Sequence, residues 1–307
     1  MICGVGLGLR WEFLDELLEK TPELAFLEVS PENYIGRGGY HRERLADVRR
    51  RYPIITHGLT MSLGGHDPLD VEYMQGLSAF IKEVGTPWHS DHVCWSSLDG
   101  KLLHDLLPVA FTRANVERIA SRIREAQDRT GARMLVENIS YYMHPGQAEM
   151  SEPEFLSELC DRADCGLMLD VNNAYVNSVN FGFNVDEWMA KAPLERTVQM
   201  HVAGHAWFED KGREPARLIV DTHGEDVCDP VLALLGRVLQ RTGPVPVLLE
   251  RDQNIPSLAG LMTEVARVRA VYDAAMPSTL ASEVAGLDKP TPSALHQRPE
   301  LTPRTSP

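Results

Sequence analysis

The chain has no CxxC pair, no membrane-length apolar run and no glycine-rich nucleotide loop. Its five cysteines (Cys3, Cys94, Cys160, Cys165 and Cys228) are odd in number, so reduced thiols in the cytoplasm are the expectation. No apolar stretch approaches the roughly 18 residues of a membrane helix. The apolar start Met1–Leu9 lacks a basic flank and reads as a first strand rather than a leader. Basic residues are scarce, 30 against 44 acidic, and the resulting charge of −14 argues against a nucleic-acid or anionic-membrane surface. Gly4-Val5-Gly6-Leu7-Gly8 lacks the spacing of a dinucleotide-binding fingerprint, which weakens an open doubly wound sheet.

What is present is alternation. Short apolar runs read as strands at Gly4–Leu9, Ala25–Val29, Ile54–His57, Pro87–Asp91, Arg133–Glu137, Gly166–Asp170, Val198–Val202 and Val247–Glu250. Helical periodicity falls between and after them, at Trp11–Lys20, His41–Arg51, Leu69–Val84, Pro108–Arg129, Pro153–Ala163, Val185–Ala190, Pro230–Arg241 and Ser257–Ala275. Eight strands, each followed by a helix, predict an α/β fold of the TIM (β/α)₈ barrel type over residues 1–276. The remainder, 277–307, is rich in Pro, Ser and Thr and is read as a disordered tail.

Metal-ligand residue types recur where the predicted strands end, the end at which barrels build active sites. His57, His89, Glu137, Asp170, Asn172, His201, His205, Asp221, His223 and Glu250 are ten such donors. Side chains two apart share a strand face, so His89 with Asp91, Asp170 with Asn172, His201 with His205, and Glu250 with Asp252 each share one. Burying so many ionisable groups together is unfavourable unless cations neutralise them. Within these runs Arg251 is the only basic residue besides the histidines, and alternation turns it away from Glu250. One ion uses roughly four to six donors, so two or three bridged ions fit better. Imidazole and carboxylate without thiolate suit Fe, Mn or Zn and disfavour Cu(I) or iron–sulfur clusters.

Eight runs, in order, carry a resemblance: Ser30-Pro31-Glu32-Asn33-Tyr34, Thr56-His57-Gly58-Leu59, His89-Ser90-Asp91-His92, Val136-Glu137-Asn138, Leu169-Asp170-Val171-Asn172-Asn173, His201-Val202-Ala203-Gly204-His205, Asp221-Thr222-His223-Gly224 and Leu249-Glu250-Arg251-Asp252. From Gly4 to Tyr272 the chain resembles the multinuclear non-heme iron-dependent oxidative enzymes, the family of the methanobactin-biosynthesis oxidase. The resemblance implies two or three irons of mixed Fe(II)/Fe(III) state, working with O₂ on cysteines of a ribosomally made precursor peptide. It also implies a separate peptide-recognising partner protein. By the same resemblance His57, His89 and Glu137 hold one iron, and Glu137 bridges to a second held by Asp170, His201 and Glu250. Asn172, His205, Asp221 and His223 are placed near a third, while Asp91 and Asp252 orient imidazoles or move protons. Two other readings of the same residues stand beside it: a Zn- or Mn-dependent barrel hydrolase or isomerase, and a non-enzymatic metal-binding scaffold.

Overall fold

A computed structural model describes residues 2–210 and 216–276. The segment from 277 onward, read as a tail, lies outside the described residues. The barrel strands are β1 (Val5–Gly8), β2 (Leu27–Val29), β3 (Ile54–His57) and β4 (Trp88–His92). A hairpin of β5 (Cys94–Leu98) and β6 (Lys101–Pro108) follows, and then come β7 (Arg133–Glu137), β8 (Gly166–Asp170) and β9 (Thr197–Val202). A second hairpin, β10 (Ala206–Asp210) and β11 (Ala216–Val220), precedes the last barrel strand β12 (Val247–Leu249). The helices are α1 (Leu14–Lys20), α2 (Tyr40–Arg49), α3 (Val71–Val84), α4 (Arg113–Thr130), α5 (Glu152–Ala163), α6 (Val171–Phe181), α7 (Val185–Lys191), α8 (Asp229–Thr242) and α9 (Leu258–Ala275).

All eight barrel strands pair in parallel and the sheet closes in the order β1-β12-β9-β8-β7-β4-β3-β2. The expected TIM barrel is the observed fold. Its outer layer forms because amphipathic helices lay one stripe on the sheet. In α4 that stripe is Val116, Ile119, Ala120, Ile123 and Ala126, all buried.

The barrel floor is apolar, made by Phe26, Ile55 and Leu248 with Trp88 against them. Gly6 makes room for it, since a Cβ there would stand 2.6 Å from the Phe26 ring. Two residues further along each strand, on the same inward face, the lining turns polar. There lie Glu28 on β2, His57 on β3 and His201 on β9, with Glu250 just past β12.

Three elements differ from the sequence reading. Residues 101–108 pair as a hairpin strand, so α4 starts at Arg113, capped by Thr112 accepting from the Asn115 amide. Residues 206–210 and 216–220 pair as the second hairpin, and α6 follows β8 directly. Both hairpins leave the C-terminal ends of barrel strands, the face that carries the polar lining.

Candidate metal centre

The strand ends build the site from below. On β4 the inward residues are Trp88, Ser90 and His92: Trp88 meets Gln199 across the barrel, Ser90 Oγ lies 2.9 Å from His57 Nδ1, and His92 pairs with Glu137. His89 and Asp91 therefore take the opposite face. His89 Nδ1 meets Thr56 Oγ1 at 3.0 Å, and Asp91 Oδ2 accepts from the Met61 amide at 3.2 Å. His89 and Asp91 share a face, as alternation requires, but it is the face opposite Trp88, so His89 does not join His57 and Glu137 as the resemblance implied. His92, absent from the expected donors, comes to His57 and Glu137 in place of His89.

Three groups of donor atoms, each mutually within 4.8 Å, run across the mouth. The first is His57, His92 and Glu137; the second is Glu137, Asp170 and His201; the third is Asp170, His223 and Glu250. Glu137 belongs to two groups and Asp170 to two. The chain of groups is continuous.

Local structure aims these atoms. Asp170 caps α6, its Oδ1 accepting the Asn173 amide at 2.6 Å, which leaves Oδ2 toward the cluster with no hydrogen-bond partner. Asn138 clamps the ends of β7 and β8: its Oδ1 accepts the Asp170 amide at 3.0 Å and its Nδ2 donates to the Asp170 carbonyl at 2.9 Å. Asp221 Oδ1 lies 2.8 Å from His223 Nε2 and accepts from Asn172 Nδ2 at 2.8 Å, while His205 Nδ1 lies 2.8 Å from Asn172 Oδ1. Asn172, His205 and Asp221 thus form an arc beside the third group. Asp252 Oδ2 meets His223 Nδ1 at 2.9 Å from behind, and Arg10 Nε donates to Asp252 Oδ1 at 3.0 Å. Gly204 permits the crossing of the 221–226 loop, because a Cβ there would stand 1.9 Å from the Glu225 carbonyl oxygen.

The electrostatics are those of acids and imidazoles crowded together in a buried site. Burial pushes the Glu137 carboxyl up to about 7, against His92 and His201, and burial with Glu137 holds Asp170 well above the usual range. Burial also drives His57 well below 6.5, helped by His92 and His201. For His92 burial opposes the charged form, yet Glu137 and Asp91 outweigh it and raise the ring to about 9. Glu250 is likewise held low by His223 and His201 despite its burial. Arg10 approaches Glu250 at 3.8 Å, whereas Arg251 turns outward to Asp226 and Glu264, as alternation predicted.

These residues fit bound metal. Glu137 Oε2 lies 3.1 Å from His92 Nε2 and 3.3 Å from His57 Nε2, yet its geometry makes a hydrogen bond to neither. Like Asp170 Oδ2, it is a buried carboxylate oxygen without a hydrogen-bond partner. Lone pairs that converge on common points without hydrogen bonds are what a cation requires and a proton network does not. Sequence reasoning also missed Glu28, which approaches His201 Nε2 at 3.1 Å from inside the barrel. The signal for His92 was its parity with Trp88; nothing local marked Glu28.

Fold and site together define a class: TIM-barrel enzymes whose strand ends converge metal-binding side chains. Residues 4–273 match the family described as RiPP precursor modification enzyme MbnB/TglH/ChrH, RiPP denoting a ribosomally synthesised and post-translationally modified peptide, and the chain belongs to that family. A UPF0276 protein of Acinetobacter baylyi is 44% identical over 268 residues, covering 87% of this chain and 91% of its own. Another from Pseudomonas aeruginosa is 41% identical over 270 residues, covering 87% and 92%. Among solved structures, a xylose isomerase-like TIM barrel protein from Mycobacterium smegmatis aligns with TM-score 0.56 at 13% identity, covering 90% of this chain and 98% of that one. Endonuclease IV from Thermus thermophilus aligns with TM-score 0.51 at 16% identity, covering 89% and 98%. These structures share the barrel. Family membership implies a peptide substrate. No described helix is long and apolar enough to cross a membrane.

Proposed function

We propose that the chain is an iron- and O₂-dependent oxidase acting on cysteine residues of a ribosomally made precursor peptide. The observation that carries this reading is the continuous run of three donor groups sharing Glu137 and Asp170, in a chain that belongs to a peptide-modifying family. His57, His92 and Glu137 would hold one ion; Glu137, Asp170 and His201 a second; Asp170, His223 and Glu250 a third. Asp221 at 2.8 Å from His223 Nε2 would complete the third, with Asn172 and His205 beside it. Iron bound there would supply Lewis acidity to a cysteine thiolate and electrons to O₂.

The chain's own residues prepare that chemistry. Ser90 meets His57 Nδ1 and leaves Nε2 toward Glu137. Asp252 meets His223 Nδ1 and leaves Nε2 toward Asp221. Asp91, whose Oδ1 lies 3.8 Å from His92 Nδ1, stands behind that ring. Asp91 and Asp252 are accordingly positioning residues. Around the mouth the two hairpins expose Leu98, Leu102, Leu103 and Leu107, and Trp207, Phe208 and Leu218. That apolar rim suits a peptide and a separate recognition protein that delivers it.

The test is metal and oxygen analysis together. Protein produced with ample iron and purified without O₂ should carry about two or three irons per chain. It should consume O₂ only with a cysteine-containing precursor peptide, whose mass then changes. Glu137→Ala should lose iron from two groups and bring turnover to background. Zn or Mn in place of iron, with no O₂ uptake, would sink the reading and favour a hydrolase or isomerase. Full cellular function of the Glu137→Ala protein would favour a scaffold.

A further inference from the structure

Beneath the donor groups a line of four side chains crosses the barrel: Trp88 on β4, Gln199 on β9, Glu28 on β2 and His201 on β9. Its polarity is set at one end. Trp88 Nε1 donates to Gln199 Oε1 at 2.8 Å, and an indole N–H can only donate. The Gln199 oxygen is therefore turned to Trp88 and its NH₂ to Glu28, to which it donates. Both Glu28 oxygens lie 3.1 Å from His201 Nε2. The Gln199 nitrogen is itself 3.1 Å from that ring atom, so two donors converge on one carboxylate. Glu28, Gln199 and His201 are all buried. A carboxylate in that place is stable only by accepting from such donors.

In the neutral ring, with the Nε2–H given to Glu28, Nδ1 carries the lone pair, and a cation bound there would take the place of the proton that Nδ1 shares with Glu250 Oε2. Nδ1 lies 3.1 Å from Glu250 Oε2 and 3.9 Å from Glu137 Oε1, on the side of the donor groups. We propose that Glu28 is a positioning residue that holds His201 in its Nε2–H form, so that His201 binds metal through Nδ1, with Trp88 and Gln199 fixing the direction of the chain. The inference rests on the metal reading and goes beyond it by assigning the ligand atom and its support. Carboxylate–imidazole–metal lines of this kind set ring orientation, and their loss typically costs about 10–100-fold in metal affinity.

The test uses the full chain loaded with Zn(II), which is diamagnetic, and ¹⁵N-labelled histidine. A two-bond ¹H–¹⁵N correlation spectrum, with the His201 signals assigned by their loss in His201→Asn, should show a protonated Nε2 and a metal-bound Nδ1. This measurement on the unaltered protein needs no variant to fold. Glu28→Gln, whose amide oxygen still accepts, should keep the pattern. Glu28→Leu should lose it and weaken one class of Zn(II) site by about 10–100-fold in chelator competition. Trp88→Phe, which frees the Gln199 amide, should shift affinity in the same direction by less. A protonated Nδ1 with metal on Nε2, or a Glu28→Leu protein unchanged in both spectrum and affinity, would overturn the inference. No bound Zn(II) at all would overturn the metal reading and the inference with it.

Discussion

At the scale of single residues, His89 and His92 separate the sequence reading from the structure. Both are buried histidines on one short strand, and only position relative to Trp88 distinguishes them. His92 Nε2 faces Glu137 at 3.1 Å, whereas His89 Nδ1 meets Thr56 on the other side of the strand. His92→Ala should therefore lower bound iron by about one ion per chain with little loss of stability in the metal-free protein. His89→Ala should keep its iron, measured after anaerobic purification, and lose about 1–3 kcal/mol in urea unfolding, the cost of a vacated buried polar site. The reverse pattern would return His89 to the metal. Glu137, Asp170, His201 and Glu250 could be named as candidates from the sequence because they lie at or near strand ends in a set with too many ionisable groups to bury without partners. Glu28 was not legible. It sits inside Leu27-Glu28-Val29 as any strand residue does, and only the far wall of the barrel gives it partners.

At the scale of elements, the two hairpins and α6 were missed for different reasons. The first hairpin turns at Asp99-Gly100, both residues at positive φ (50° and 70°), which is the turn chemistry that Asp-Gly supplies. That signal was present, but the leucines on either side also suit a helix stripe. The second hairpin and the Asn-rich α6 carry little apolar periodicity, because their positions are decided by the polar arc they support. If the hairpins seat the peptide, Phe208→Ser and Leu102→Ser should raise KM by about tenfold each, as loss of an apolar contact of roughly 1.4 kcal/mol does, with kcat and thermal stability held. An unchanged KM would remove the hairpins from peptide binding.

A separate element effect lies at the start of α5. Glu152 is buried there, with Trp188 Nε1 donating at 3.1 Å and Tyr141 OH at 3.4 Å. Burial outweighs these bonds and pushes its carboxyl up to about 7 from 4.5. The folded chain thus keeps a proton that the unfolded chain releases near 4.5, so this stabilisation is complete below that pH. It is lost as pH rises through 7. Glu152→Gln removes the titration and should gain on the wild type by up to about 3 kcal/mol between pH 4.5 and 8, read from urea midpoints. Parallel curves across that range would refute the assignment.

For the molecule as a whole, a group of acids gathers at one end of the barrel. Glu28, Glu137, Asp170, Asp221 and Glu250 converge there, with Arg10 and the His92 ring among their cationic partners. Cations would bind the folded chain and not the unfolded one, so they stabilise by mass action. Removing metal with a chelator should lower the melting temperature by about 5 °C or more, and returning Fe(II) without O₂ should restore it. A melting temperature indifferent to both would argue that the cluster is held by protons alone.

The sequence by itself determined the alternation of strands and helices, and with it the barrel and the end at which the chemistry sits. Strand and helix periods are local, and the chain writes them in order. It also determined that oxygen and nitrogen donors, not sulfur, would meet, and that they were too many for one ion. Tertiary structure alone decided which donors share a point. Residues 57, 92 and 137 are brought together by the register of β3, β4 and β7, and residues 28 and 201 by closure across the barrel. A one-residue change of parity exchanges His92 for His89 without altering the strand's composition. That is why the kinds of ligand could be read along the chain, while the ligand set had to be read across it.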